Sequence, residues 1–236
     1  RMLDFWFTAL KYRKDYQIAV VEVYSFGAFR WAELLCWLLR RLKKSYCLTL
    51  HGGRLPEFTD QYPKRFRRLI QSAAVVTTPS QYLKNEFSNI RKDIHHIPNG
   101  INLVRYQYHG LVKTSPSIIW MHSLGSIYNP KLAVKVIANL LNVYPNAKLM
   151  MIGPDSGDGT LDGVRALGED LGVINNIIMT GAIRKNQVNH YFKEGCIYLN
   201  TTNYESFGIA VMEAAACGLC IVTTNVGEMP YLWEDG

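Results

Sequence analysis

The sequence predicts an α/β protein built from two parallel-sheet domains, and three observations predict it. Short runs rich in β-branched and aromatic residues alternate with longer stretches whose apolar residues fall three and four apart, the pattern of βαβ units. The strand-like runs are continuously apolar rather than alternating, as expected of strands buried on both faces of a parallel sheet. The rhythm breaks once, at NGINLVRYQYHGLVKTSPS (99–117), an irregular stretch with Gly, Pro and Ser that reads as the joint between domains. The expected division is residues 1–110 and 111–236.

The candidate strands of the first domain are IAVVEVY (18–24), YCLTLH (46–51), AVVTTP (74–79) and IHHIP (94–98). Those of the second are SIIWMH (117–122), AKLMMIG (147–153), NIIMTG (176–181), CIYLN (196–200) and LCIVTT (219–224). PKLAVKVIANLLNVY (130–144) shows the helical period clearly. AELLCWLL (32–39) is the most apolar helical run, and it falls short of the roughly 18 residues a membrane span needs. The opening RMLDFWFTALKYRKDY has no small-residue cleavage site, so no signal peptide is expected there.

Hydrophobic residues make up 48% and charged residues 19% of the 236, a composition that can bury a sizeable core. The net charge of +7 is uneven: residues 1–110 carry 18 Lys and Arg against 8 Asp and Glu, and residues 111–236 carry 8 against 11. The excess gathers in Lys11, Arg13 and Lys14, then Arg40, Arg41, Lys43 and Lys44, then Lys64, Arg65, Arg67 and Arg68. One reading is solvated helix ends; the other is a surface for an anionic membrane or polyanion. The five cysteines are odd in number and lie mostly in apolar runs, which fits reduced thiols in a cytoplasmic protein. Cys217 and Cys220 form a lone C-x-x-C with no second pair to complete a zinc site, and are read as buried core thiols.

In open α/β sheets ligands bind beyond the carboxyl ends of the strands. Four post-strand segments carry unusual residues: His51-Gly52-Gly53, the glycine-rich stretch from Gly153, Gly181, and Glu205-Ser206-Phe207-Gly208. One glycine after a strand is ordinary turn chemistry; four such segments suggest a cleft between two sheets. In YESFGIAVMEAAACG a loop becomes a helix near Gly208 and stops at Gly218. The amides of Phe207, Gly208 and Ile209 are then expected to be open helix-start donors suited to a phosphate, with Gly208 allowing close approach. Glu213 falls about one and a half turns into the helix, among Val211, Met212, Ala214, Ala215 and Ala216. A solvent-facing stripe does not fit such neighbours. A buried carboxylate needs partners, and a vicinal diol of a sugar can be one.

Glu205 and Glu213, with seven residues between them and AAACGLCIVTTNVGEMPYL after them, resemble the E-x7-E signature of family 4 glycosyltransferases, retaining enzymes of the GT-B fold that use nucleotide sugars. LTLHGG, VVTTPSQYLKNEF, IHHIPNGIN, NAKLMMIG and NIIMTGAI extend the resemblance over nearly the whole chain. It implies two Rossmann-like domains facing across a cleft, residues 1–110 on the acceptor side and 111–236 binding the donor. It further implies that Glu213 binds the donor ribose, that Glu205 contacts the transferred sugar, and that the amides around Phe207, Gly208 and Ile209 hold the diphosphate. Gly181 and Ile183 would border the base, Gly153 would belong to the donor site, and His51 would assist at the reaction centre with Gly52 and Gly53 opening the acceptor side. A turn histidine satisfied by backbone is the plainer reading of His51. The implied activity transfers a hexose from a nucleotide sugar to a cell-surface glycan or lipid-linked acceptor, with no cofactor and no metal, since protein donors and a helix dipole stabilise the diphosphate. It also favours the membrane reading of the basic clusters, and a cytoplasmic chain peripheral at the membrane's inner face.

Three departures stand out. Family members follow the first donor-domain strand with an Arg and then a Lys that grip the diphosphate; here WMHSLGSIYNPKLA puts His122 or Ser123 in the first place and Tyr128 or Asn129 in the second, with Lys131 displaced. The family's first strand and glycine loop have no counterpart before Arg1, and its last elements none after Gly236. The expectation is therefore a chain truncated at both ends or an abbreviated relative. The alternative function is a non-catalytic nucleotide-sugar-binding or scaffolding relative. A nucleic-acid partner is not expected, because it leaves Glu205 and Glu213 without a purpose, and a GT-B epimerase fits the E-x7-E block less well.

Overall fold

A computed structural model describes residues 2–108 and 115–235, with side chains from Trp6 onward. The expected boundary between residues 110 and 111 lies outside the described residues. The chain divides into two compact units: residues up to Asn99 with Glu205–Phe207 and the segment from Pro230, and Gly100–Tyr204 with Gly208–Met229.

The first unit runs α1 (Met2–Lys11), β1 (Ile18–Val23), α2 (Phe29–Arg41), β2 (Ser45–Leu50), α3 (Leu55–Gln61), α4 (Pro63–Gln71), β3 (Val75–Thr78), α5 (Gln81–Phe87) and β4 (Ile94–His96). Its strands form one parallel sheet in the order β1-β2-β3-β4. Phe29, Ala32, Cys36 and Leu39 recur at helical spacing on one side of α2 and join Val21, Val23, Leu48 and Leu50 in one core. Each of the Val, Leu and Phe side chains contributes roughly 1.5–3 kcal/mol by leaving water. Helix α5 starts at Ser80, whose hydroxyl accepts from the Leu83 amide at 3.0 Å. Strand β1 departs from the expected two-sided burial: Val21 and Val23 are buried under α2, whereas Ile18 and Val20 on the other face are exposed.

The second unit contains β5 (Ser117–Met121), α6 (Pro130–Leu141), β6 (Lys148–Ile152), α7 (Thr160–Asp170), β7 (Ile177–Gly181), α8 (Val188–Phe192), β8 (Ile197–Asn200), α9 (Ile209–Ala216) and β9 (Cys220–Thr223), and α10 (Met229–Leu232) follows in the chain. Its five strands form a parallel sheet in the order β7-β6-β5-β8-β9. The order reverses at β5, so the loops after β5 and β8 diverge there, the kind of switch point at which α/β sheets bind ligands. Pro130 opens α6 with its φ preset for a helix, and Ala133, Val134 and Ile137 form its buried stripe. Trp120 is wholly buried, and its indole N–H donates to Thr201 Oγ1 at 2.8 Å.

The cysteines are free thiols. Cys36 and Cys217 are buried, and burial pushes them up to about 12 and about 11, which keeps both as unreactive thiols. Cys220 corrects the expectation of a buried pair: it lies exposed at the start of β9. Among the described residues no helix is long and apolar enough to cross a membrane.

Candidate functional site

In the first unit the end of β2 positions His51. Its amide donates to the Val23 carbonyl at 2.8 Å, which ties the loop to the end of β1. The parallel register pairs Val23 with Leu50, so Tyr24 comes beside His51, and the two rings stack at 5.3 Å and 17°. The Tyr24 hydroxyl donates to Glu22 Oε2 at 3.2 Å. Burial lowers the His51 pKa, with Glu22 opposing; the imidazole is therefore neutral near pH 7 and able to accept a proton or a hydrogen bond. Gly52 has φ +87, where a side chain is strained, although the space beside it is open to 3.7 Å. Gly53 follows it, partly exposed. Glu22 and Tyr24 went unnoticed in the sequence, yet the β1–β2 register was the signal for them.

In the second unit, the ends of β5, β6 and β7 carry His122, Gly153 and Gly181. His122 shares a hydrogen bond with Asn200 Oδ1 at 3.0 Å, stacks on Tyr128 at 4.5 Å and meets the edge of Trp120. Burial lowers its pKa to about 4, so it cannot stand in for a fixed cation at neutral pH. Gly153 is glycine because the chain passes too close: with φ +145, a Cβ there would come within 1.8 Å of the His122 carbonyl oxygen. Gly181, with φ +70, has open space where its Cβ would be, and Ile183 lies partly buried beyond it. Lys131 is exposed, its tip over Gly163 of α7, and borders a cavity of about 320 Å³ shared with Ser126, Asn129, Asp158 and Thr160. Asp158 accepts from the Ser126 and Thr160 amides at 3.1 and 3.0 Å, and hydrogen bonds led by the Thr160 side chain hold its pKa down at about 2.

The two glutamates differ. Glu205 Oε1 accepts from the backbone amides of Ser206 at 3.0 Å and Phe207 at 3.3 Å. The Phe207 amide, expected to be open, is thus already occupied by a carboxylate, which suits the positive start of a helix. Gly208 opens α9 with φ +83, but a Cβ there would lie 2.5 Å from the Met229 methyl. The flexible end of Met229 thus occupies the place of a side chain at Gly208. Ile209, the first residue of the helix, is 46% exposed.

Glu213 is only 3% exposed, and Val211 and Ala214 of the same helix are also buried. It pairs with the Lys185 ammonium and accepts from the Tyr106 hydroxyl, whose pKa rises through burial and then through this bond. Nearby, Asn189 Oδ1 accepts from the Gln107 amide at 3.1 Å and the Cys217 thiol at 3.3 Å, so residues 106–107 are tied down at two points. A cavity of about 420 Å³ lies against Arg105, Tyr106, Lys185, Asn186 and Asn189. Lys185 and Tyr106 were missed in the sequence, where nothing marks them as partners of Glu213.

The basic clusters of the first unit are partly committed to the fold. Arg40 donates to the Tyr46 hydroxyl at 2.9 Å and Ser72 at 3.1 Å, Arg65 pairs with Glu33, and Lys44 donates to the Tyr16 carbonyl at 2.6 Å. Arg41 lies over the Trp37 ring. Lys43, Lys64, Arg67 and Arg68 are exposed. Among the described residues no three His, Cys, Asp or Glu side chains converge so as to hold a metal ion.

Comparison with known proteins gives these features a context. The family described as Glycosyl transferases group 1 matches residues 107–236, and Glycosyltransferase Family 4 matches residues 1–105. A D-inositol 3-phosphate glycosyltransferase of Acidothermus cellulolyticus is 23% identical over 240 residues, covering 91% of this chain and 52% of the relative. A phosphatidylinositol N-acetylglucosaminyltransferase subunit from Arabidopsis thaliana is 30% identical over 142 residues, 59% of this chain and 31% of the relative. The chain thus spans about half the length or less of these curated relatives. Among solved structures, Anabaena Alr3699/HepE in complex with UDP and glucose superposes with a TM-score of 0.81 at 15% identity, over 98% of this chain and 65% of that one. Sucrose-phosphate synthase from Thermosynechococcus elongatus gives 0.80 at 16%, over 98% and 61%. The fold they share with this chain is GT-B.

Proposed function

We propose that this chain, which belongs to the glycosyl transferases group 1 family, moves a hexose from a nucleoside diphosphate sugar to a glycan or lipid-linked acceptor with retention of configuration. The observation that carries the proposal is Glu213, a carboxylate 3% exposed inside a nearly all-apolar helix and partnered by the ammonium of a largely exposed lysine and by a phenol. A ribose diol can replace both, because it offers two hydroxyl donors to one carboxylate. In this reading the Gly208 and Ile209 end of α9 faces the diphosphate, Gly181 and Ile183 border the base, and Glu205 and His51 serve at the transferred sugar. The protein's own donors stabilise the leaving diphosphate and no metal takes part. The complex of Alr3699/HepE with UDP and glucose makes UDP the first nucleotide to try. The relatives named for inositol phosphate and phosphatidylinositol make a phosphorylated polyol or its lipid the first acceptor. The exposed Lys43, Lys64, Arg67 and Arg68 fit a cytoplasmic protein resting on an anionic membrane surface.

A second reading, a nucleotide-sugar-binding relative without turnover, is favoured by one observation: the loop after β5 offers a neutral His122 stacked on Tyr128 where a cation is wanted. The test is calorimetry of UDP, GDP and their sugar conjugates with the wild-type chain and Glu213→Ala. Loss of about 1–3 kcal/mol on removing the carboxylate supports a donor site at α9, and donor hydrolysis then separates transferase from binder. If no nucleotide binds the wild-type chain, the proposal fails.

A further inference from the structure

The pair formed by Lys185 and Glu213 is buried on one side only: the carboxylate is 3% exposed and the lysine side chain 58%. Glu213 cannot leave the interior, and its charge must stay partnered. Lys185 can leave, since its side chain is largely exposed and its stem is flexible. Outside the pair, Lys185 borders the cavity of about 420 Å³ whose other lining residues are Arg105, Tyr106, Asn186 and Asn189. That lining holds two cations and no acid, a chemistry that suits an anion.

The other candidate cations of this unit are worse placed for one. His122 is neutral near pH 7 and engaged with Asn200. Lys131 shares its cavity with the ionised Asp158. Along α9, Gly208 and Glu213 are five residues apart, about 7–8 Å of helix at 1.5 Å per residue. An ammonium released from Glu213 therefore starts within a short swing of the groups bound at the head of that helix.

Resting on the donor-site reading above, we propose that Lys185 is a donor-positioning residue that changes partner: it neutralises Glu213 until the sugar hydroxyls of the donor's nucleoside take the carboxylate, and then grips the donor's phosphoryl oxygens. The exchange keeps both charges compensated at each stage. It also makes phosphate recognition depend on prior capture of the nucleoside, because the cation is freed only when Glu213 finds another partner.

The experiment is calorimetry of uridine, UMP and UDP, with the guanosine series in parallel, on the wild-type chain, Lys185→Met, Lys185→Gln and Lys185→Arg. Lys185→Gln keeps a hydrogen-bond donor beside Glu213 and guards against a folding defect in Lys185→Met. The expected result is a loss of at least tenfold in diphosphate affinity with both neutral variants, a smaller loss for the monophosphate, a nucleoside affinity equal to or tighter than wild type because Lys185 no longer competes for Glu213, and recovery of diphosphate affinity in Lys185→Arg. Equal losses for nucleoside and diphosphate, or no loss for either, would make Lys185 a fixed counter-ion and overturn the inference. If Glu213→Ala still weakens nucleotide binding in that case, the donor-site reading survives without it. No binding of any nucleotide by the wild-type chain overturns both.

Discussion

Glu205 and Glu213 lie eight residues apart in one short motif, and the structure satisfies them by opposite means. Glu205 turns back on its own loop and takes the amides of the next two residues. Glu213 takes Lys185, 28 residues upstream, and the still more distant Tyr106. A partly exposed carboxylate can settle for local backbone donors and water. A buried one must draw charge and hydrogen bonds from elsewhere in the fold, because an unpartnered ion in the interior costs several kcal/mol. His122 is likewise satisfied at long range in sequence, by Asn200 at the end of the neighbouring strand β8.

The contrast can be pressed hardest through the groups satisfied at long range. The folded-state pKa of His122 lies at about 4, below the ordinary value of 6.5. The folded protein therefore binds fewer protons than the unfolded chain between those pH values, and this contribution to stability is intact above pH 6.5 and lost as pH falls toward 4. Its full size is about 3 kcal/mol. Urea midpoints at pH 7 and 4.5 should fall together more steeply in the wild-type chain than in His122→Asn. An equal acid slope in both would mean that the imidazole is not held neutral.

The locally satisfied group predicts less. Glu205→Ala removes one acceptor from two loop amides, at a cost of about 1 kcal/mol, which at this chain length is a Tm drop of about 2–4 °C. Under the proposed function the same variant loses far more donor turnover than stability. A Tm drop above 8 °C would show that Glu205 holds the fold together and would erase the distinction from Glu213. The smallest effect belongs to residues satisfied by water alone. Arg67→Gln, on the exposed face of α4, should change stability by less than about 0.5 kcal/mol, while lowering retention on anionic vesicles at low salt. A large stability loss there would place Arg67 with the structural cations Arg40 and Arg65.

Much of the fold was legible because it rests on short-range pattern. All nine strands of the described residues fall within one residue of the runs read from the sequence at one end or the other, since a buried parallel strand is an apolar run bounded by turn residues. The ends of α9 were legible in Gly208 and Gly218, both at positive φ. What a glycine makes room for was not legible: a Cβ at Gly153 would meet the His122 carbonyl, and one at Gly208 the Met229 methyl. A glycine in a sequence shows that a side chain is excluded, but not by what.

By itself, then, the sequence determined the order of strands and helices, the two parallel α/β units, the helix that carries Glu213 and the poor fit of a solvent-facing place for that residue. These depend on periodicity and turn chemistry within a dozen residues. Only the tertiary structure decided who neutralises Glu213, that His122 is uncharged, that half of the basic cluster is spent on the fold, and which glycines leave open space. Each of those depends on what another part of the chain brings within a few ångströms, and contact, burial and the pKa values they set are properties of that proximity rather than of any stretch of sequence.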